Sequence, residues 1–366
     1  MPRLALRPVP AFQALPMLGL ATSCGEPDLE ADRYLAFQRE PDGYEVAPRL
    51  VGTLEDLATI TGRLGEVRTG GILLYENDGS MTLDGDRALD VGYDVQDGVA
   101  VPLDEDGLIL WSFYGHLEDI ADQLPALGLD GDVFFPLNSA WTPVLPDLLL
   151  ELLPKENAAY ATGGHFFVLL DDLFAKDVPL VANAGVIRHE FGHAVFHVLT
   201  SGGVHRRPPF AAADTSVPSL YYSSLHEAFA DTFATLSLDA PDYFEDSLPM
   251  TSRDVRGDWT IDQVETPEQF HRTAGDDPLA LYDPYPLGTV FASTAWDLRE
   301  ALGDPLEAWA ILLEGTRIWV DLSTPDNAWA LLDAWVAAAG QGVAAEALCA
   351  SIETRFGDAV LVETCP

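Results

Sequence analysis

A His-Glu-x-x-His motif at residues 189–193 constrains the fold of this 366-residue chain more than any other feature. Two imidazoles four residues apart can reach one ion only if the segment is helical, because such residues then lie on the same helix face. Asn183 is a candidate N-cap before the motif, and two adjacent glycines follow it. The sequence therefore predicts one helix that directs His189 and His193 to a shared metal ion, with Glu190 beside them.

A third protein ligand must come from elsewhere in the chain. Catalytic zinc takes three protein ligands and keeps one position open for water. An extended form of the motif has a Gly and a third His seven and ten residues after the first His. This chain has Phe196 and Leu199 at those positions, so the extended motif does not supply the ligand. Glu227, on a second predicted helix, is the candidate third ligand.

Two interpretations of Glu227 are open at this point. Ser224-x-x-Glu227 is the pattern of a helix capping box, in which the Glu only satisfies a backbone N–H. That interpretation does not explain Asp231, which lies one turn later on the same face. Zinc sites use such a carboxylate to accept a hydrogen bond from the second ring nitrogen of a His ligand. We therefore predict that Glu227 is a metal ligand and that Asp231 accepts a hydrogen bond from one of the His ligands.

The motif, followed by Glu227 and Asp231, resembles the gluzincin arrangement, in particular that of thermolysin-like and fungalysin-like peptidases. Asn-Ala-Ala-Tyr at 157–160 resembles the family's edge strand, and 288–299 resembles its helix after the catalytic loop. The resemblance covers roughly residues 110–366. It implies a zincin-like, two-lobed α+β fold. In that fold a β-rich N-terminal lobe with the active-site helix faces a mostly α-helical C-terminal lobe across a cleft.

The resemblance also implies roles for individual residues. His189, His193 and Glu227 would bind Zn²⁺, with Glu190 as the general base of peptide-bond hydrolysis. Substrate backbone would pair with the edge strand at Asn157 and Ala159.

One departure from the family concerns the oxyanion. The family has a His shortly before position 288, and this chain has Tyr285 near that position instead. A phenol is a competent hydrogen-bond donor, so Tyr285 is the candidate. Tyr282 and His271 are equally reachable from the sequence. Arg253 and Arg256 are either surface charges or ligands for a substrate carbonyl.

These observations predict an exported, zinc-dependent endopeptidase that acts as a monomer on peptide or protein substrates. The missing His favours one alternative, a catalytically impaired zinc-binding surface lipoprotein. An aminopeptidase is a weaker alternative, because no Gly-x-Met-Glu-Asn signature precedes the motif.

The charge of the chain excludes one class of partner. Asp and Glu total 59 against 19 Lys and Arg, which gives a formal net charge of −40. Such a surface repels phosphate backbones and anionic headgroups, so we expect no nucleic-acid binding. The abundant carboxylates keep Ca²⁺ as a second candidate cofactor, although no EF-hand spacing occurs.

The N-terminus resembles a bacterial lipoprotein signal. A short basic start precedes a mostly apolar run at 11–20, and small residues lead to Cys24. The prediction is a signal peptide at 1–24, with a mature protein that is secreted or tethered to the membrane through lipidated Cys24. The remaining cysteines, Cys349 and Cys365, are either a disulfide or two buried thiols.

The rest of the chain divides into a β-rich region at 25–105 and the metallopeptidase domain at 106–366. Asp-Gly pairs between short apolar runs predict turns. These pairs begin at Asp42, Asp78, Asp84, Asp97 and Asp106. Helical spacing predicts helices at 114–127 and 148–153, and a loop-rich insert is expected between about Ser237 and Asp283.

Overall fold

Strands dominate the first part of the described chain, and helices dominate the rest. The computed structural model describes the following residues: 31–41, 43–75, 81–145, 158–161, 166–170, 177–201, 216–248, 253–274, 281–321, 328–357, 360 and 362–365. They belong to a compact unit that begins at Ala31. The signal segment with Cys24, the predicted helix at 148–153 and Asn157 lie outside the described residues.

A four-stranded sheet is built from two hairpins. Its strands are β1 (Arg33–Glu40), β2 (Gly43–Leu50), β7 (Tyr93–Gln96) and β8 (Val99–Pro102). Their order is β2-β1-β8-β7, and β1 pairs with β8 in parallel. Asp97 and Gly98 join β7 to β8 with φ values of 53° and 79°. This is the positive-φ geometry for which Asp-Gly is favoured, so the predicted turn is confirmed.

The second sheet carries the strand that borders the candidate site. Its strands are β3 (Leu54–Asp56), β4 (Thr61–Gly62), β5 (Gly65–Tyr75), β6 (Met81–Ala88), β9 (Asn138–Trp141), β10 (Ala158–Ala161) and β11 (Phe166–Leu169). The order is β10-β11-β9-β5-β4-β3, with β6 also paired to β5. Among the described strands, β10 therefore lies at the edge.

A buried helix, α1 (Glu105–Gln123), follows the first sheet. It begins nine residues before the predicted start at 114, because Asp104 caps it and accepts the N–H of Gly107 at 2.8 Å. The turn predicted at Asp106-Gly107 is therefore wrong, since both residues lie in the first turn of α1.

Helices make up most of the remaining described chain. They are α2 (Ala184–Ser201), α3 (Val217–Leu238), α4 (Pro267–Ala274), α5 (Tyr285–Leu302), α6 (Pro305–Asp321), α7 (Trp329–Ala339) and α8 (Val343–Phe356). Together with the strand-rich first part they confirm the predicted α+β class with a β-rich N-terminal region. The domain boundary near residue 105 stays a prediction.

Glycines bring the helices that carry the motif close together. A Cβ at Gly192 of α2 would lie 2.7 Å from Ala230 Cα of α3. A Cβ at Gly288 of α5 would lie 3.0 Å from Glu227 Cβ, also on α3. The 2.7 Å approach at Gly192 leaves no room for a side chain, and a side chain at Gly288 would require its neighbour to shift. As a result, α3 lies between α2 and α5, with Glu227 facing the motif.

A continuous apolar core joins the two parts of the fold. Phe191 lies on the side of α2 opposite His189 and His193. Its ring packs against those of Phe134 and Phe233, with centroid distances of 5.3 and 5.7 Å. Trp309 of α6 donates its indole N–H to Leu127 O at 2.9 Å, which connects the helical part to the segment after α1.

Near the C-terminus, Cys349 and Cys365 form a disulfide, so the alternative of two free thiols is wrong. No helix among the described residues is long and apolar enough to cross a membrane.

Candidate metal centre

The motif helix begins where the sequence predicts. Asn183 Oδ1 accepts the N–H groups of Gly185 and Val186 at 2.8 and 3.2 Å, which makes it the cap of α2. From this start, His189 and His193 lie one turn apart with ring centroids 4.6 Å from each other. Both rings are buried, so they face a common point that is shielded from solvent.

Glu227 of α3 completes the set. Its Oε2 lies 3.3 Å from His189 Nε2 and 3.7 Å from His193 Nε2. The capping-box interpretation is wrong, because Ser224 is in the middle of α3 and donates its hydroxyl to Leu220 O. A carboxylate in the middle of a helix has no free N–H to cap.

The distances suit a zinc ion. Zinc lies about 2.0 to 2.1 Å from nitrogen and oxygen ligands, so tetrahedral ligand atoms are about 3.3 Å apart. The two Nε2–Oε2 separations are close to that value. Glu227 Oε2 is buried and has no hydrogen-bond partner among the described residues. A buried carboxylate oxygen between two imidazole nitrogens is what a cation would satisfy. One potential ligand atom of each of His189, Glu190 and His193 also lies within 4.8 Å of the others.

Asp231 holds the first ring in place. Its Oδ1 lies 2.8 Å from His189 Nδ1, so the Nε2 of that ring is left to face Glu227. Tyr243 and Arg253 donate to the same oxygen. Burial raises the pKa of Asp231, but the charge of Arg253 and the His189 hydrogen bond outweigh it and lower the pKa to about 2. The carboxylate is therefore ionised.

Electrostatics link the two carboxylates through His189. Burial and Arg253 lower the pKa of His189, but the hydrogen bond that the ring donates to Asp231 and the close Glu227 carboxylate outweigh them and raise the pKa to about 9. Burial raises the pKa of Glu227, and the neighbouring His193 and His189 lower it below its ordinary value. The Glu227 carboxyl group is thus ionised, which is the form that binds cations.

The second ring has a different support. His226 Nδ1 forms a short hydrogen bond with His193 Nδ1, and the rings stack with centroids 4.5 Å apart. Burial, followed by the nearby His197 and His189, lowers the pKa of His226 to about 3. A neutral imidazole therefore orients His193, whereas a carboxylate orients His189.

Glu190 faces away from Asp231 and His226, the side chains that orient the two rings, and toward the edge strand. It is 7% exposed, and its Oε2 accepts the N–H of Tyr160 at 2.8 Å. Burial raises the pKa of Glu190 to about 7, with Glu227 adding to the rise and His189 and the Tyr160 hydrogen bond opposing it. A carboxyl group with a pKa near neutrality can both accept and return a proton.

The edge strand β10 contains Ala159. The N–H of Tyr160 points to Glu190, and main-chain groups alternate sides along a strand. The groups that face away from β11 are therefore those of Ala158 and Tyr160, while those of Ala159 face β11. The strand lies beside the general-base candidate, and the substrate role of Ala159 stays a prediction.

Tyr285 lies at the start of α5 near the same carboxylates. Its ring is 4.4 Å from Arg253 Cζ, and 39% of the residue is exposed. The charge of Glu227, with burial second, raises the pKa of its phenol, so the group keeps its proton. This placement is compatible with a donor, and the assignment of Tyr285 stays a prediction.

Three further side chains contact the site, those of His226, Tyr243 and Arg253. The sequence patterns do not predict His226 or Tyr243 as part of it. Arg253 is 7% exposed against Asp231, so its interpretation as a surface charge is wrong, whereas Arg256 is half exposed and pairs with other acids. The adjacency of His226 to Glu227 was a usable signal, but nothing in the sequence links the loop after α3 to the motif.

Comparisons with known proteins add one similar structure. No protein-family model matches the chain, and no curated protein matches it. Among solved structures it is similar to the precursor of protealysin, a metalloproteinase from Serratia proteamaculans, with 15% identity and a TM-score of 0.46. The match covers 84% of this chain and 92% of that chain. A likeness at this level does not establish a shared activity.

Proposed function

We propose that this chain is a zinc-dependent peptidase in which His189, His193 and Glu227 hold the metal. The observation that carries the proposal is the position of Glu227 Oε2, buried without a hydrogen bond between two Nε2 atoms at 3.3 and 3.7 Å. A structural carboxylate would be hydrogen-bonded there, as buried polar groups generally are, whereas Arg253 Nη2 lies 3.5 Å from this oxygen without a hydrogen bond to it. The two helices instead present a donor set of the His₂Glu type used by catalytic zinc.

Zinc bound at this position would polarise a scissile carbonyl and make water a stronger acid. Glu190 is the residue that would take a proton from the attacking water and return it to the leaving amine. Its buried environment and pKa near 7 suit both steps. No covalent bond between protein and substrate is required.

Two further elements would act on the peptide. The outward groups of β10 would accept an extended substrate as an added strand. The substrate contacts assigned to Asn157 and Ala159 stay predictions, and main-chain pairing along β10 falls to Ala158 and Tyr160, whose groups face away from β11. Tyr285, or its cationic neighbour Arg253, would stabilise the oxyanion that forms as the carbonyl is attacked.

The type of peptidase and its location are proposed from sequence patterns. The resemblance supports a gluzincin endopeptidase of the thermolysin-like or fungalysin-like type. The N-terminal pattern supports export, either as a secreted monomer or as a lipoprotein tethered through Cys24. Calcium stays a second candidate cofactor.

The proposal is tested with Glu190→Gln, which keeps the size of the side chain and removes the base. We expect kcat/KM on a quenched peptide to fall about 10²- to 10⁴-fold, because general-base catalysis contributes that much. Zinc content should stay at the wild-type level, since Glu190 is not a ligand. Glu346→Gln, an exposed substitution on α8, is the matched control and should retain activity.

Two outcomes would contradict the proposal. Peptide cleavage by Glu190→Gln at the wild-type rate would remove Glu190 from the mechanism. Stoichiometric zinc in a wild-type protein that cleaves no peptide would instead favour the impaired zinc-binding protein.

A further inference from the structure

Tyr160, in the edge strand β10, contacts α2 at two points. Its N–H donates to Glu190 Oε2 at 2.8 Å, and its phenol oxygen lies 3.3 Å from His197 Nδ1. Glu190 and His197 are seven residues apart, so they lie on the same face of α2. One residue therefore fixes the strand along about 10 Å of the helix.

Packing holds the Tyr160 ring between the strand and the helix. The ring is edge-on to Phe167 of β11, with centroids 6.1 Å apart, and its centroid is 6.2 Å from that of His197. Only 8% of the residue is exposed. The phenol is the polar end of an otherwise apolar contact, and the hydrogen bond to His197 defines where that end lies.

The N–H of Tyr160 reaches Glu190 only while β10 keeps its distance from α2. Among the described strands, β10 is paired on one side, so sheet pairing fixes its register but not that distance. The contact between the phenol and His197 constrains that distance. It acts two helical turns from the carboxylate that the N–H holds.

We propose that Tyr160 is a positioning residue, whose hydrogen bond to His197 sets the edge strand so that its own N–H orients the Glu190 carboxylate. The proposal rests on the proposed function, in which Glu190 is the general base. In this orientation the Glu190 carboxylate has an oxygen within 4.8 Å of the ligand atoms of His189 and His193. The same strand presents main-chain groups to an extended peptide, so one contact aligns substrate and base together.

The test compares two Tyr→Phe substitutions that face the same helix. Tyr160→Phe removes only the phenol oxygen that meets His197. The control, Tyr222→Phe, removes a phenol that lies 2.9 Å from Thr200 Oγ1, on the α3 side of α2. Both remove one partly or fully buried hydroxyl, so a general loss of packing affects them alike.

We expect Tyr160→Phe to lower kcat about ten- to a hundred-fold, the range caused by small misplacements of a catalytic group. KM and zinc content should stay near wild type. Amide hydrogen exchange in the peptide that contains 158–161 should become faster. The control should change neither kcat nor this exchange. His197→Phe removes the same hydrogen bond from the other side, and the double variant should lose no more than either single one.

The outcomes separate the two proposals. If the wild type cleaves peptides and Tyr160→Phe keeps both wild-type kcat and wild-type exchange, the positioning role is wrong. If the zinc-loaded wild type cleaves nothing, the proposed function fails, and the exchange measurement alone decides whether Tyr160 fixes the strand. Should Tyr160→Phe fail to fold, His197→Phe gives the same reading.

Discussion

Two glutamates, Glu118 of α1 and Glu227 of α3, have side chains that are only 6% and 15% exposed, but their surroundings differ in character. Both lie in the middle of long helices and both have an Arg nearby. Glu118 accepts hydrogen bonds from several donors, whereas Glu227 Oε2 has no hydrogen bond among the described residues. The comparison distinguishes a carboxylate that holds the fold together from one that we propose as a metal ligand.

Every oxygen of Glu118 has protein partners. Oε1 accepts from the N–H and the hydroxyl of Thr53, and Oε2 accepts from Tyr34 at 3.2 Å and from Arg49 at 3.4 Å. Four donors on two oxygens satisfy an ionised carboxylate, so this group needs nothing from outside. It ties β1, β2 and the chain before β3 to α1.

Glu227 has a different balance of charge. Its Oε2 lies near two ring nitrogens and 3.5 Å from Arg253, without a hydrogen bond among the described residues. An undersatisfied anion in a buried position costs stability unless a cation occupies the site. The difference between the two glutamates therefore predicts opposite responses to substitution.

The largest expected effect sharpens this contrast. Glu227→Ala should lower zinc affinity by about a thousand-fold, or about 4 kcal/mol, because one of three protein ligands is lost. The metal-free protein should unfold at nearly the same urea concentration, since no hydrogen bond to Oε2 is removed. Zinc competition with a chelator and urea unfolding in EDTA measure the two quantities. Wild-type zinc affinity in this variant would exclude Glu227 from the ligand set.

Glu118→Ala should show the reverse pattern. The free energy of unfolding should fall by about 3 kcal/mol, because Arg49 and Tyr34 lose their buried partner. Zinc affinity of the folded protein should not change, as α1 contributes no ligand. Urea unfolding and the same chelator competition apply. An unchanged unfolding midpoint would show that Glu118 is not the structural member of the pair.

The smallest effect concerns the carboxylates next to each glutamate. Asp231→Asn should lower zinc affinity about 10- to 100-fold, the usual consequence of removing the partner of a His ligand. Asp119→Asn is the matched control, because Asp119 also pairs with an Arg, at 2.7 and 3.0 Å from Arg49. That control should leave zinc affinity unchanged. Equal losses in both variants would mean that net charge, rather than contact with His189, controls the metal.

Local patterns predicted the parts of the site that lie on single helices. Four-residue spacing placed His189 next to His193, and Glu227 on the same face as Asp231, because helix geometry is fixed. The cap at Asn183 followed from side-chain chemistry alone. The start of α1 was missed because Asp106-Gly107 is favoured in turns as well as in the first turn of a helix capped by Asp104.

Contacts between distant segments could not be predicted in the same way. Tyr243 and Arg253 meet Asp231 through a loop whose path depends on packing against α2 and α3. His226 faces His193 because the two helices approach closely, and no spacing rule records that approach. The sheet places the N–H of Tyr160 next to Glu190, so this contact depends on the register of β10 with β11.

Gly192 has a consequence for the size of the metal centre. With no side chain there, the backbones of α2 and α3 meet, and the separation of those backbones fixes the distance between the histidines and the opposing carboxylate. A methyl group at this position would push the helices apart and enlarge the space between the three ligand atoms. The fourth residue of this His-Glu-Phe-Gly-His segment thus sets the separation of the side chains proposed to hold the metal, although Gly192 itself would not contact an ion bound there.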